Sequence, residues 1–210
     1  MTNYADYIAG RITYARPQGM LWSDNQGTSQ TTVDGVQMYV PTGSEVGSAA
    51  NGSNFIILSD DNRSPIDFKN TRLENRQRMI NGRMRSYYIA DKLTISTSWQ
   101  MLPSRSFSGP SQFNSVGKTS GSYADYTSDG GAGGVEMLEW YENHTGSFFV
   151  FLAYDKYTNM GDRTNSSTFT QLKEYNQVVE MFISDFSYSV EKRGGSNMDM
   201  WNISVTLEEV

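Results

Sequence analysis

KLTISTSWQML, residues 92–102, alternates with a period of two. Leu93, Ile95, Thr97, Trp99 and Met101 fall on one face, and Thr94, Ser96, Ser98 and Gln100 on the other, because successive strand residues point to opposite sides of a sheet. The stretch reads as a half-buried strand. Pro103 ends it, since proline has no N–H to give to a ladder.

Just upstream, RLENRQRMI (72–80), Asn81-Gly82 and RMRSYYIA (83–90) read as a hairpin. Asn-Gly tolerates the positive φ that both central positions of a type I′ turn require. That turn pairs Ile80 with Arg83, Met79 with Met84, Arg78 with Arg85 and Arg76 with Tyr87. It puts Arg76, Arg78, Ile80, Arg83, Arg85 and Tyr87 on one face. Like charges directly opposite are unfavourable, so something must offset Arg78 against Arg85.

Downstream, SFFVFLAY (147–154) is a nearly continuous apolar run of strand length, expected to be a central strand buried on both faces. In 178–191 the even positions Phe182, Phe186, Tyr188 and Val190 form an apolar stripe. The odd positions are apolar first (Val179, Met181, Ile183) and polar later. KRGGSN makes a turn into 198–210, where Trp201, Ile203, Val205 and Leu207 form the next stripe. Trp99, Phe182, Phe186, Trp201, Ile203, Val205 and Leu207 are therefore the candidate core. VEMLEWYENH (135–144) is the one convincing helix, with Val135, Leu138 and Tyr141 on one side and Gly146 as a stop.

Residues 1–62 look irregular, with short strands expected at Val36–Val40 and Phe55–Leu58. Residues 104–134 form a polar insertion ending in GGAGG, long for a connection inside a compact domain. Strands outnumber helices, so the expected fold is mainly β: a β-sandwich or partly closed β-barrel with one flanking helix and long loops or arms. The division is 1–62, then a β domain over 63–210 with a hairpin arm at 72–90.

The 210 residues suffice for a core without staples. The chain has no cysteine, which excludes disulfides and thiolate metal sites. The apolar run ending at Tyr154 is far too short to span a bilayer, and no secretory signal is visible in MTNYADYIAG. No membrane association is expected, and synthesis in a cytoplasm is. The net charge of −6 is uneven: residues 63–92 carry +5 and the remainder −11. The arginines of the hairpin have three possible counterparts, namely solvent and salt, an acidic surface on a neighbouring copy, or nucleic acid. The neighbouring copy ranks first because the rest of the same chain is acidic. Nucleic acid ranks last because that acidic body repels it.

Chemistry-bearing motifs are weak. His144, the sole histidine, sits at the end of the helix, where a cation complements the dipole. Asp60-Asp61-Asn62 has turn composition without the ligand spacing of a calcium loop. Glu208 and Glu209 point to opposite faces of a strand. GGAGG lacks the Lys-Ser/Thr of a phosphate-binding loop and reads as flexible. No catalytic residue, metal site or cofactor is expected.

PIDFKNTRLENRQRMINGRMRSYYIADKLTISTSWQMLPSRSF (65–107), VEMLEWYENHTGSFFVFLAYDK with the Gly-rich segment before it, and YSVEKRGGSNMDMWNISVTLEEV (188–210) together resemble tail proteins of double-stranded DNA bacteriophages, of the tail-tube-fold group. The resemblance covers roughly half of the chain. It implies a β-sandwich or β-barrel with a flanking helix, assembled in the virion into a ring of the tail tube or the distal tail and baseplate. It further implies contacts with adjacent tail proteins, and a lumen that passes DNA or a tape-measure protein without reading sequence. Arg76, Arg78, Arg83, Arg85 and Tyr87 are then expected at intersubunit contacts. The alternative is a receptor- or carbohydrate-binding β module of a virion, suggested by the aromatics and polar loops.

Overall fold

The structure is a computed structural model that describes residues 19–33, 36–40, 55–105, 127, 131–154, 175–193 and 199–210. The strands are β1 (Met20–Ser23), β2 (Thr28–Val33), β3 (Val36–Val40), β4 (Phe55–Ile57), β5 (Asp67–Arg78), β6 (Met84–Pro103), β7 (Phe148–Leu152), β8 (Gln177–Arg193) and β9 (Asp199–Glu209); the helix is α1 (Gly134–Asn143). Seven strands form one antiparallel sheet in the order β4-β1-β7-β8-β9-β6-β5, and β2 and β3 pair separately. Among the described residues the fold is mainly β with one flanking helix. Both β1 and β4 come from within 1–62 and hydrogen-bond into the same sheet as strands from 63–210. The insertion over 104–134, apart from its two ends and Thr127, and the KRGGSN turn lie largely outside the described residues.

The sheet curls without closing. β4 and β6 are five strand spacings apart, about 24 Å if the sheet were flat, too far for one side chain to bridge. Yet the indole of Trp99 on β6 donates to the Ser59 carbonyl, two residues past β4, at 2.7 Å. The chain then runs beside β6, with Ser64 N on Ser98 O at 2.7 Å and Gln100 N on Asn62 O at 3.2 Å, before entering β5 on the far edge. At the corner, Asp60 accepts from Gly19 N at 3.0 Å and pairs with Arg63 at 2.9 Å. The Asp60-Asp61-Asn62 turn is thus tied by its own carboxylate.

The main core lies inside this curl. It contains Trp22, Ile56, Ile95, Trp99, Leu102, Phe148, Val150, Met181, Trp201, Ile203, Val205 and Leu207, with Met137 and Trp140 of α1 as its lid. A second cluster on the other face of β4, β1 and β7 joins Leu21, Phe55, Ile57, Phe151 and Tyr175. β3 covers it through reciprocal bonds between Tyr39 and Tyr175. β7 is therefore buried on both faces, which is why its sequence does not alternate.

Two bulges in β6 and β8 move the core face away from simple alternation. In β6 the register shifts between Trp99 and Leu102, and Met101 takes φ +54°. Leu102 is buried in consequence, while Met101, expected on the core face, is exposed. In β8 the register shifts between Ile183 and Asp185. Before that bulge the odd residues face the core, with Met181 buried and Val179 and Ile183 packed against it. Phe182, expected in the core, is instead 38% exposed on the outer face, opposite Glu208. Beyond the bulge the even residues turn inward: Phe186 is half-buried, stacked on Tyr141 at 4.7 Å. Tyr188 stacks on Trp201 at 5.1 Å but stays half exposed, because nothing described covers that end of the sheet. A single extra residue reverses every side chain that follows it.

In α1, Val135 and Leu138 of the expected side pack half-buried against the core, but the deepest burial falls on the adjoining side. Glu136, Met137 and Trp140 are buried and Tyr141 is exposed. The glycines before it, expected to be flexible, are packing positions. A Cβ on Gly131 would stand 2.4 Å from the Ser59 backbone, one on Gly133 2.6 Å from Pro103 O, and one on Gly134 2.7 Å from the Trp201 ring. His144 caps the helix with its N–H on Trp140 O, places Nδ1 2.8 Å from the same carbonyl and Nε2 2.8 Å from Asp24, and stacks on the Trp140 ring. Gly131→Ala is expected to destabilise the fold by about 2 kcal/mol or more, because the obstructing atoms are backbone and cannot rotate away. Gly146→Ala, with nothing within 4 Å of the new Cβ, is expected to stay within about 0.5 kcal/mol. Chemical denaturation of both variants checks the contrast.

Candidate functional site

β9 pairs with β6 only over Thr94–Pro103, so the β5–β6 hairpin beyond residue 92 has no sheet neighbour among the described strands. It projects as an arm. Nearly every residue of it is exposed, including seven large apolar side chains: Leu73, Met79, Ile80, Met84, Tyr87, Tyr88 and Ile89. Ile80 at the tip is fully in solvent.

The tip differs from the two-residue turn the sequence suggested. Gly82 N donates to Met79 O and Met79 N to Arg83 O, both at 2.8 Å, so the loop holds Ile80, Asn81 and Gly82. Only Gly82 has positive φ, +78°, whereas a type I′ turn needs it at both central residues. Asn81 instead uses its side-chain oxygen to accept from Arg83 N at 3.1 Å. The outcome is a three-residue loop with glycine at the left-handed position.

That shifts the register by one residue and re-sorts the arginines. Arg78 pairs with Met84, Gln77 with Arg85, Arg76 with Ser86 and Asn75 with Tyr87. Arg76 and Arg78 therefore share the core-side face of the arm, while Arg83, Arg85 and Tyr87 lie on the other. The expected single arginine face is corrected to two faces, and the Arg78–Arg85 clash does not arise. A further shift between Leu73 and Glu74 leaves Ile89 without a partner in the ladder.

The root of the arm is internally neutralised and its tip is not. Arg72 bonds Asp91 at 3.2 Å and lies 5.7 Å from the centre of the Tyr88 ring; the Asp91 carboxylate raises the guanidinium above its ordinary pKa. Glu74 accepts from Ser86 and from Arg76, which holds its carboxyl below the usual range. Between Asn75 and Tyr88 the chain has four arginines and no acid. Arg78, Arg83 and Arg85 make no ion pair with any described residue.

Of the remaining residues singled out from sequence, Trp99, Trp201, Ile203, Val205 and Leu207 are buried in the body. Sequence reasoning missed the apolar character of the arm, although Ile80, Met84 and Ile89 stand in plain sight among the arginines. It also missed a groove between the end of α1 and β8, which no local pattern announces. No protein-family model matches the chain, and a search of curated proteins finds no match. Gly82→Val, a β-branched residue at positive φ, is expected to loosen the arm alone. Amide exchange over 75–88 should speed up while the global denaturation midpoint stays unchanged.

Proposed function

We propose that the chain is a structural subunit of a bacteriophage tail, assembling with copies of itself into a ring of the tail tube or the distal tail around the DNA channel. The arm carries this reading. A free two-stranded hairpin is marginal in water, and this one exposes seven large apolar side chains together with a tip charge of +3 from Arg78, Arg83 and Arg85. Such a surface is stabilised when a partner covers it. The chain outside residues 63–92, at −11, is of opposite sign, so an identical neighbour supplies both the apolar cover and the counter-charge. The likeness of 65–107, 135–156 and 188–210 to tail proteins supports the same reading. In it, adjacent tail proteins cap the ring, and DNA or a tape-measure protein passes through without sequence-specific contact.

A receptor- or carbohydrate-binding module is the second reading, favoured by the row Tyr141, Phe186, Tyr188 and Trp201 along one side of the sheet. Glycan binding by a protein that stays monomeric would favour it.

Negative-stain microscopy of the purified chain is expected to show rings or short tubes. Arg78→Glu with Arg85→Glu reverses one charge on each face of the arm. It should leave the monomer folded and raise the concentration needed for assembly by roughly tenfold or more, since exposed pairs contribute up to about 1 kcal/mol each and two reversals act together. Salt near 1 M, where the Debye length is about 3 Å, should weaken the wild type in the same direction. Normal assembly of the variant at low and high salt would leave the arginines as solvated surface.

A further inference from the structure

An open groove of about 640 Å³ lies between the end of α1, the turn that follows it and β8, with Val210 just past β9 at its side. Its walls are Tyr141, Glu142 and His144 from the helix end, Phe182 and Ile183 from β8, and Val210. Three of these are large apolar surfaces left to solvent: Phe182 at 38%, Tyr141 at 41% and Val210 at 54% exposed. Three carboxylates lie in or next to the groove. Glu142 lines the groove, Glu208 stands directly across the ladder from Phe182, and Glu180, two residues before it on the same face, accepts from Ser147 at 2.7 Å. The groove thus offers apolar contact with carboxylates beside it. Lys92 marks its far end, donating to the Val210 carbonyl.

The arm tip has the complementary surface: Ile80 fully exposed, Met79 and Met84 beside it, and Arg78, Arg83 and Arg85 without acidic partners among the described residues. It cannot reach the groove of its own chain. Lys92 sits at both the arm root and the groove edge, and Ile80 lies about 40 Å up the arm from it, at roughly 3.3 Å per residue. A paired ladder does not fold back on its own base.

We propose that the arm tip of one copy, led by Ile80, seats in the groove between α1 and β8 of a second copy. This rests on the ring-subunit reading above and names the surface that receives the arm. Knob and socket are different patches of one molecule, so the contact is head-to-tail. Repeated, it closes into a ring when the rotation between copies permits, and otherwise runs on as an open fibre.

The chain has no cysteine, which allows a direct test. Single variants Ile80→Cys and Thr145→Cys, the latter exposed in the groove wall, are mixed and treated with diamide. The expected product is a dimer joining one of each, with little product from either alone. Phe182→Ser in the Thr145→Cys partner should lower the yield on the order of tenfold, the scale of losing one apolar anchor. Equal self-cross-linking by Ile80→Cys would mean that tips meet tips and would overturn the proposal. Rings in the microscope without an 80–145 product would overturn it and leave the ring reading standing. An 80–145 product in open chains that never form rings would sustain the contact and remove the ring. If Phe182→Ser abolished binding to a panel of oligosaccharides while cross-linking was unchanged, the groove would be a sugar site and the proposal would fall.

Discussion

A single hydrogen bond from the Trp99 indole to the Ser59 carbonyl defines the geometry on which the molecule depends. It brings strands from opposite parts of the sheet order within one side chain of each other, and so obliges the sheet to curl. Curling gives the inner face enough enclosed volume for Trp22, Trp99, Trp140 and Trp201, with α1 across the opening. The same closeness explains the glycines. Where the Leu58–Ala132 bridge and the start of α1 meet the chain at Ser59 and Pro103, no Cβ fits at Gly131 or Gly133. A flat sheet would have left that face open to water and those glycines without a purpose.

The arm is an outgrowth of this core. β6 runs for 20 residues, half of them anchored in the core through Ile95, Thr97 and Trp99 and half projecting with β5. The buried half holds the register that the exposed half inherits, which is how a hairpin with so little burial stays extended. Its root is electrically quiet, since Arg72 with Asp91 and Arg76 with Glu74 cancel locally. Its tip keeps cations without ion pairs among the described residues together with exposed apolar surface. Charge draws partners of opposite sign from a distance, and apolar contact takes over once water is excluded.

Much of this was legible beforehand, though unevenly. Alternation in 92–99 and 201–207 is unbroken, and those residues are buried as their pattern says. The double-sided burial of β7 was legible because its run of apolar residues left no solvent face. Phe182, Met101 and the arginine faces were not. Each lies beside a bulge or a turn where one residue is added, and a period-two pattern has no means of showing where the count slips. For Phe182 the overlapping apolar stripes on odd and even positions were the only hint.

The sequence by itself determined the strand-rich composition, the hairpin at Asn81-Gly82, the helix before His144 and the concentration of positive charge between residues 63 and 92. These follow from local propensity, spacing and counting, which need no distant neighbour. Only the tertiary structure decided the order of the strands, the sides of the arm on which the arginines lie, and the gathering of Tyr141, Glu142, Phe182 and Val210 into one groove. Those depend on contacts between residues far apart in the chain, and on bulges whose position is set by what the opposing strand must bury.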